Sequence, residues 1–191
     1  MTASPFGLAA LAVLAAATLA GCVASSSPPP TGRPSFYQDL ASPTARVDAQ
    51  KAAQMITEYR ARAGVGPLRV DPELSRIAAT YARQMADADK LSHSLPPFGN
   101  LNKRLNDAGY RGQAAGENIA SGYRTLAEAF SGWRDSPPHD RGMKDPEMTV
   151  MGIGTAYNPN SKYKVYWSVI FARPYDTGTL AAAMPGVTPG Q

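Results

Sequence analysis

Apolar side chains recur at three- and four-residue steps where the chain begins to read as folded. Val47, Ala52, Met55, Ile56, Tyr59 and Ala63 fall on one helical face, and Gly64 with Gly66-Pro67 stops the run by backbone freedom and a missing donor. Asp71-Pro72 restarts it. Asp71 can accept from orphan amides as an N-cap and Pro72 fits the first helical position, while Leu74, Ile77, Ala78, Tyr81, Ala82 and Met85 form a stripe to bury. This predicts a long helix running to Leu91, with His93 just past its end, where the helix dipole would favour a protonated imidazole. A shorter helix is expected from Asn100 to Ala108, ended by Gly109, then a loop through Gly112 and Gly116 to Glu117. Thr125 is positioned to cap a helix carrying Leu126, Ala129, Phe130 and Trp133. Ser136-Pro137-Pro138 breaks that helix and can cap another, with Ser136 as N-cap. Beyond Val150 the period changes. Val150 to Tyr157 and Lys164 to Phe171 read as strands joined by the turn-rich Asn158-Pro159-Asn160-Ser161. Helices followed by an antiparallel hairpin predict an α+β domain in which helices cover a small sheet.

Composition changes sharply on both sides of this pattern. Leu8 to Ala20 is an apolar run too short to span a bilayer comfortably, and it leads into Leu19-Ala20-Gly21-Cys22, which resembles a bacterial lipobox. Residues 1–21 are therefore expected to be a lipoprotein-type signal peptide, with Cys22 as the lipidated residue that holds the chain to a membrane. Cys22 is the only cysteine, so no disulfide within the chain can support the fold. Residues 22–44 are rich in Ser and Pro and read as a disordered tether; residues 45–175 form the expected domain, and 176–191 a disordered tail. A formal net charge of +4 is modest and its basic residues are scattered, which gives no nucleic-acid footprint and only a weak preference for anionic surfaces.

The chain has two histidines, and each sits in a local pattern: Leu91-Ser92-His93-Ser94, and Trp133-Arg134-Asp135-Ser136-Pro137-Pro138-His139. Between them lies Gly116-Glu117-Asn118. His93, Glu117 and His139 are side chains able to move protons, orient a polar ligand or bind a metal, and a fold that joins them has a polar site. Two imidazoles and a carboxylate suit zinc or another divalent cation, with His93 and His139 as ligands and Glu117 as a third ligand or a general base. Without a metal, which the reading does not require, the same three groups can form a charged hydrogen-bonded network. Asn118 and Ser94 read as supporting or turn residues. Met143, Met148 and Met151 fit packing at least as well as a binding surface.

In chain order these features resemble the CAP superfamily, also called SCP-like: cysteine-rich secretory proteins, antigen 5 and pathogenesis-related proteins. The resemblance is to its bacterial exported branch. The residues that carry it are Gly66-Pro67-Leu68, the helix into His93-Ser94, Gly116-Glu117-Asn118-Ile119, Trp133 with Ser136 and His139, Gly152-Ile153-Gly154 and Tyr166-Trp167. The resemblance implies an α-β-α sandwich, a small central antiparallel sheet between helical layers, and a cleft holding His93, Glu117 and His139. It also implies secretion, and binding of divalent metal or of sterols and other lipids, with no general catalytic activity. Where eukaryotic members carry a second cleft Glu three residues after the Trp, this chain has Ser136, and their Gly-His-[Phe/Tyr]-Thr-Gln signature is absent.

The expected function is thus a monomeric, lipid-anchored, exported binding module whose cleft recognises a lipid, a divalent metal or an envelope component. The competing expectation is a metal-dependent hydrolase acting on peptide or envelope substrate through Glu117. No compact His-Glu-x-x-His motif, Ser or Cys triad or nucleophile elbow supports the enzyme.

Overall fold

A computed structural model describes residues 34–175, together with Met1 and Gly32 as isolated positions. The signal segment, Cys22 and the expected tail at 176–191 lie outside the described residues. Among the described residues no helix is long and apolar enough to cross a membrane.

Helix α1 spans Ala49–Ala61 and begins where the Asp48 side chain accepts from Lys51 N. Strand β1 (Arg69–Val70) follows, then helix α2 (Pro72–Asp87). Asp71 caps α2 as its chemistry predicts, accepting from Glu73 N and Leu74 N, with Pro72 in the first turn. Helix α3 (Leu101–Asp107) is capped by Asn100, strand β2 runs Gly112–Ser121, and helix α4 (Leu126–Arg134) starts in a capping box between Thr125 and Glu128. Helix α5 (Pro137–Met143) precedes the hairpin strands β3 (Val150–Tyr157) and β4 (Val165–Pro174).

The sheet order is β1-β3-β4-β2, with β3–β4 and β4–β2 antiparallel and β1 parallel to β3. It is therefore mixed rather than wholly antiparallel, because a two-residue strand enters beside β3 on the way from α1 to α2. Alternation along β4 explains the two helical layers. Val165, Trp167, Val169 and Phe171 join a core with α1, α4 and Met143 of α5, whereas Tyr166, Ile170 and Ala172 face α2 and α3. All are buried, as are Trp133, Met148 and Met151. On β3, Gly152 and Gly154 present no side chain to α2. A Cβ at Gly152 would overlap backbone atoms of Leu74 and Ser75, and one at Gly154 the backbone of Ala79, so α2 rides directly on the strand.

Two expectations are corrected. The stretch through Gly112 and Gly116 is not a loop but the outer strand β2, paired along β4 with Glu117 opposite Ile170 and Asn118 opposite Val169. Helix α2 ends at Asp87 rather than Leu91, where Asp89 turns the chain at φ 45° and its Oδ1 accepts from Tyr166 OH (2.6 Å) and Lys162 N (2.8 Å). His93 is consequently too far along the chain for the dipole of α2, which acts only within the last turn. Ahead of Ala45, Leu40 is buried, its N–H donates to Arg124 O (2.8 Å), and Ser35–Tyr37 forms a 3-10 turn packed against α4. An apolar residue in a Ser/Pro-rich setting is enough to anchor that stretch.

Among the described residues, Arg60 on α1 is the charged side chain that is fully buried. Its Nε donates to Gly66 O (2.7 Å), Nη1 to Met143 O (2.7 Å) and Asp145 O (2.9 Å), and Nη2 to Met148 O (2.9 Å). One side chain thus ties α1 to both ends of the connection between α5 and β3, which sets where α5 and His139 lie.

Candidate functional site

Because β2 is an outer strand, its two faces are served by different layers. Glu117 points to the α2–α3 side with Ala115 and Ile119, and Asn118 to the α4–α5 side with Ala120. A carboxylate on the first face must find partners or leave its charge uncompensated in a poorly solvated place.

Its partners are His93 and Arg104. Glu117 Oε1 lies 3.0 Å from His93 Nδ1, and Glu117 Oε2 accepts from Arg104 Nη2 at 2.7 Å. The Glu117 and Arg104 side chains are 5% and 6% exposed, whereas His93 is 58% exposed. An ionised carboxylate only accepts, so Nδ1 carries the proton of this contact and Nε2 remains free on the solvent side. Behind Glu117, the Arg104 guanidinium lies over the Tyr81 ring, 3.2 Å from its centroid, and Tyr81 OH donates to Ser92 O at 2.6 Å. The loop bearing His93 is thereby tied to α2 beside the carboxylate that His93 meets. Burial raises the Tyr81 phenol pKa, opposed by the neighbouring Arg104 charge.

Arg104 is the site residue that the sequence reading missed. Its signal was position: Leu101, Arg104, Leu105 and Ala108 share one face of α3, and a lone Arg on such a face implies a buried acidic partner.

His139 lies on the opposite, α4–α5 side of β2. It sits in the first turn of α5, held by Asn118 Nδ2 donating to its carbonyl at 2.9 Å. Burial, and then the charge that His93 carries when protonated, hold the imidazole below its ordinary pKa of 6.5. Asn118 therefore acts through the backbone of α5. Ser136 occupies the N-cap of α5 but makes no side-chain capping bond, and Ser94 is an exposed turn residue whose N–H donates to Ser92 Oγ (3.1 Å).

Among the described residues no three His, Cys, Asp or Glu side chains are grouped so as to hold a metal ion, and both Glu117 oxygens already have partners. The donor set fits a hydrogen-bonding site built on Arg104, Glu117 and His93.

Comparison with known proteins agrees with this architecture. The profile of the cysteine-rich secretory protein (CAP) family matches residues 53–171. The uncharacterized protein YkwD of Bacillus subtilis is 30% identical over 105 residues, 55% of this chain and 41% of that protein. An extracellular SCP-domain protein of Bacillus anthracis superposes with a TM-score of 0.58 at 26% identity, over 65% of this chain and 40% of the other. An outer surface protein of Borrelia burgdorferi superposes at 0.59 with 20% identity, over 68% of this chain and 98% of the other, and shares the fold. The chain thus matches less than half the length of its curated Bacillus relative. With the profile covering the sheet, the helices and the Glu117 strand, this chain belongs to the cysteine-rich secretory protein (CAP) family.

Proposed function

We propose that this protein is an exported binding module, held at the bacterial envelope through lipidated Cys22, whose cleft recognises an envelope component by hydrogen bonding and does not transform it. The observation that carries the reading is the division of labour at Glu117. Its carboxylate is spent on Arg104 and His93, and the consequence is an exposed imidazole fixed in orientation, with Nε2 as a free acceptor. A fixed acceptor suits ligands rich in hydroxyl and amide donors, such as lipid headgroups or wall polymer. The extracellular and outer-surface descriptions of the related structures support an exported location, and the lipobox-like Leu19-Ala20-Gly21-Cys22 supports the anchor.

A hydrolase would need Glu117 as a free base or metal ligand. With both oxygens engaged and little exposure, it is poorly placed for either role. The reading is tested by following the His93 and His139 ring signals while adding phosphatidylglycerol vesicles, soluble peptidoglycan fragments or zinc. Saturable perturbation by one envelope component, lost in His93→Ala, supports it. Perturbation by zinc alone, or turnover of a fragment that Glu117→Gln abolishes, would refute it.

A further inference from the structure

Among the described residues from Pro34 to Tyr175, five large apolar or aromatic side chains are exposed: Tyr37, Leu91, Tyr123, Tyr163 and Tyr175. Four of them gather at one end of the domain. The sheet register puts Ser121, Tyr157 and Val165 together at that end, so Tyr123 leaves β2 where Tyr163 leads into β4. A Cβ at Gly122 would lie 3.6 Å from the Tyr163 ring, which sets the two loops side by side. Leu91 arrives with the end of α2, two residues past Asp89, whose Oδ1 accepts from Lys162 N at 2.8 Å. Tyr37 lines one open cavity together with Tyr123. Tyr175 alone follows the far end of β4.

Single exposed apolar residues are ordinary, but four on one rim mark a surface with a partner. Two further observations say which partner. The first is charge. Asp39, Asp87 and Asp135 are paired with Arg124, Arg83 and Arg134, which leaves the exposed Lys90, Lys162 and Lys164 in excess over Asp89 and Glu128. Lys162 Nζ lies 5.0 Å from the centre of the Tyr163 ring, and Lys164 Nζ donates to Pro159 O at 2.6 Å. Tyrosines edged by lysines suit the boundary between water and an anionic bilayer. The second is attachment. The chain enters the domain at this same end, where Leu40 N–H donates to Arg124 O at 2.8 Å. From Cys22 to Pro34 is 34 − 22 = 12 residues, which span at most about 40 Å. A lipid on Cys22 would keep this rim within reach of the bilayer at high effective concentration.

We infer that this rim is a membrane-docking face: Tyr37, Leu91, Tyr123 and Tyr163 enter the headgroup region of an anionic phospholipid surface, and Lys162 and Lys164 meet its phosphates. The inference rests on the lipidated Cys22 of the proposed function and adds to it a fixed orientation, with the far end of β4 and Tyr175 turned away from the bilayer.

The test uses the full-length lipoprotein, reconstituted with its anchor into vesicles of phosphatidylglycerol and phosphatidylcholine, with and without bromine near the headgroup end of the acyl chains. Both native tryptophans, Trp133 and Trp167, are buried, so the wild type supplies the background. The Tyr163→Trp protein is expected to show a blue-shifted emission that brominated lipid quenches, whereas Tyr175→Trp stays at the wild-type level. Adding Leu91→Glu and Lys162→Glu, both at exposed positions, to Tyr163→Trp should abolish the quenching while the protein still floats with the vesicles. Quenching that is equal at the two ends, absent at position 163, or unaffected by the two charge changes overturns the inference. Protein that floats in those cases keeps the Cys22 anchor, and protein that does not float refutes the anchor together with the docking face. A blue shift without quenching assigns the rim to a second copy or another protein, and overturns the inference as well.

Discussion

Arg104 and Glu117, on α3 and β2, meet at 2.7 Å with both side chains almost wholly buried. A buried pair is weak evidence of net stabilisation, yet removing one partner leaves the other uncompensated. Arg104→Met should lower unfolding free energy by roughly 3 kcal/mol, as should Glu117→Gln, with the double substitution costing clearly less than their sum. Denaturant titration of the four proteins checks this. Additive losses would show that the pair is not coupled.

Arg60 makes its four hydrogen bonds to backbone carbonyls and none to a carboxylate. A Lys ammonium cannot reproduce that planar fork, and orphaned buried carbonyls cost about 1–3 kcal/mol each. Arg60→Lys should therefore destabilise by roughly 3 kcal/mol, and amide exchange should rise around Met143 and Met148 before it rises in the α2 layer.

Gly152 and Gly154 permit contact between β3 and the α2 backbone. Ala at either position must lift α2 off the sheet, at a cost of about 3 kcal/mol from overpacking. Thr155 points to the other side of the strand, so Thr155→Ala should cost less than about 1 kcal/mol by the usual scale of less buried substitutions. Thermal melts of these three variants distinguish close approach from general sensitivity of the strand.

His139 is held below pKa 6.5 by burial and then by the charge of His93. The native state thus binds this proton less readily than the unfolded chain. The cost is absent above pH 6.5 and grows as pH falls through that value toward the folded pKa. Tm should decline as pH falls below about 6.5, and His139→Gln should flatten that part of the decline. In His93→Ala the His139 titration, followed by its ring protons, should move upward, because one of its two causes is gone.

Much of the fold was legible where local chemistry agrees with tertiary need. Asp71-Pro72, Asn100 and Thr125 marked helix starts that the packing then used, and the alternation around Trp167 identified β4. β2 was not legible. Gly112, Ala114, Ala115 and Gly116 carry little strand preference, and that strand exists because β4 offers it a partner. β1 is too short to leave a pattern. At the site, His93, Glu117 and His139 could be singled out by residue type, but type says nothing of which face of β2 each approaches. For Glu117 that question is settled by Arg104, which claims the second oxygen of the carboxylate.

The most direct measurement of that arrangement is the tautomer of His93, read from the imidazole nitrogen resonances at neutral pH. With Glu117 accepting from Nδ1, the account predicts the Nδ1–H form in the wild type and a shift away from it in Glu117→Gln. A His93 ring protonated at Nε2, and indifferent to Glu117→Gln, would contradict it.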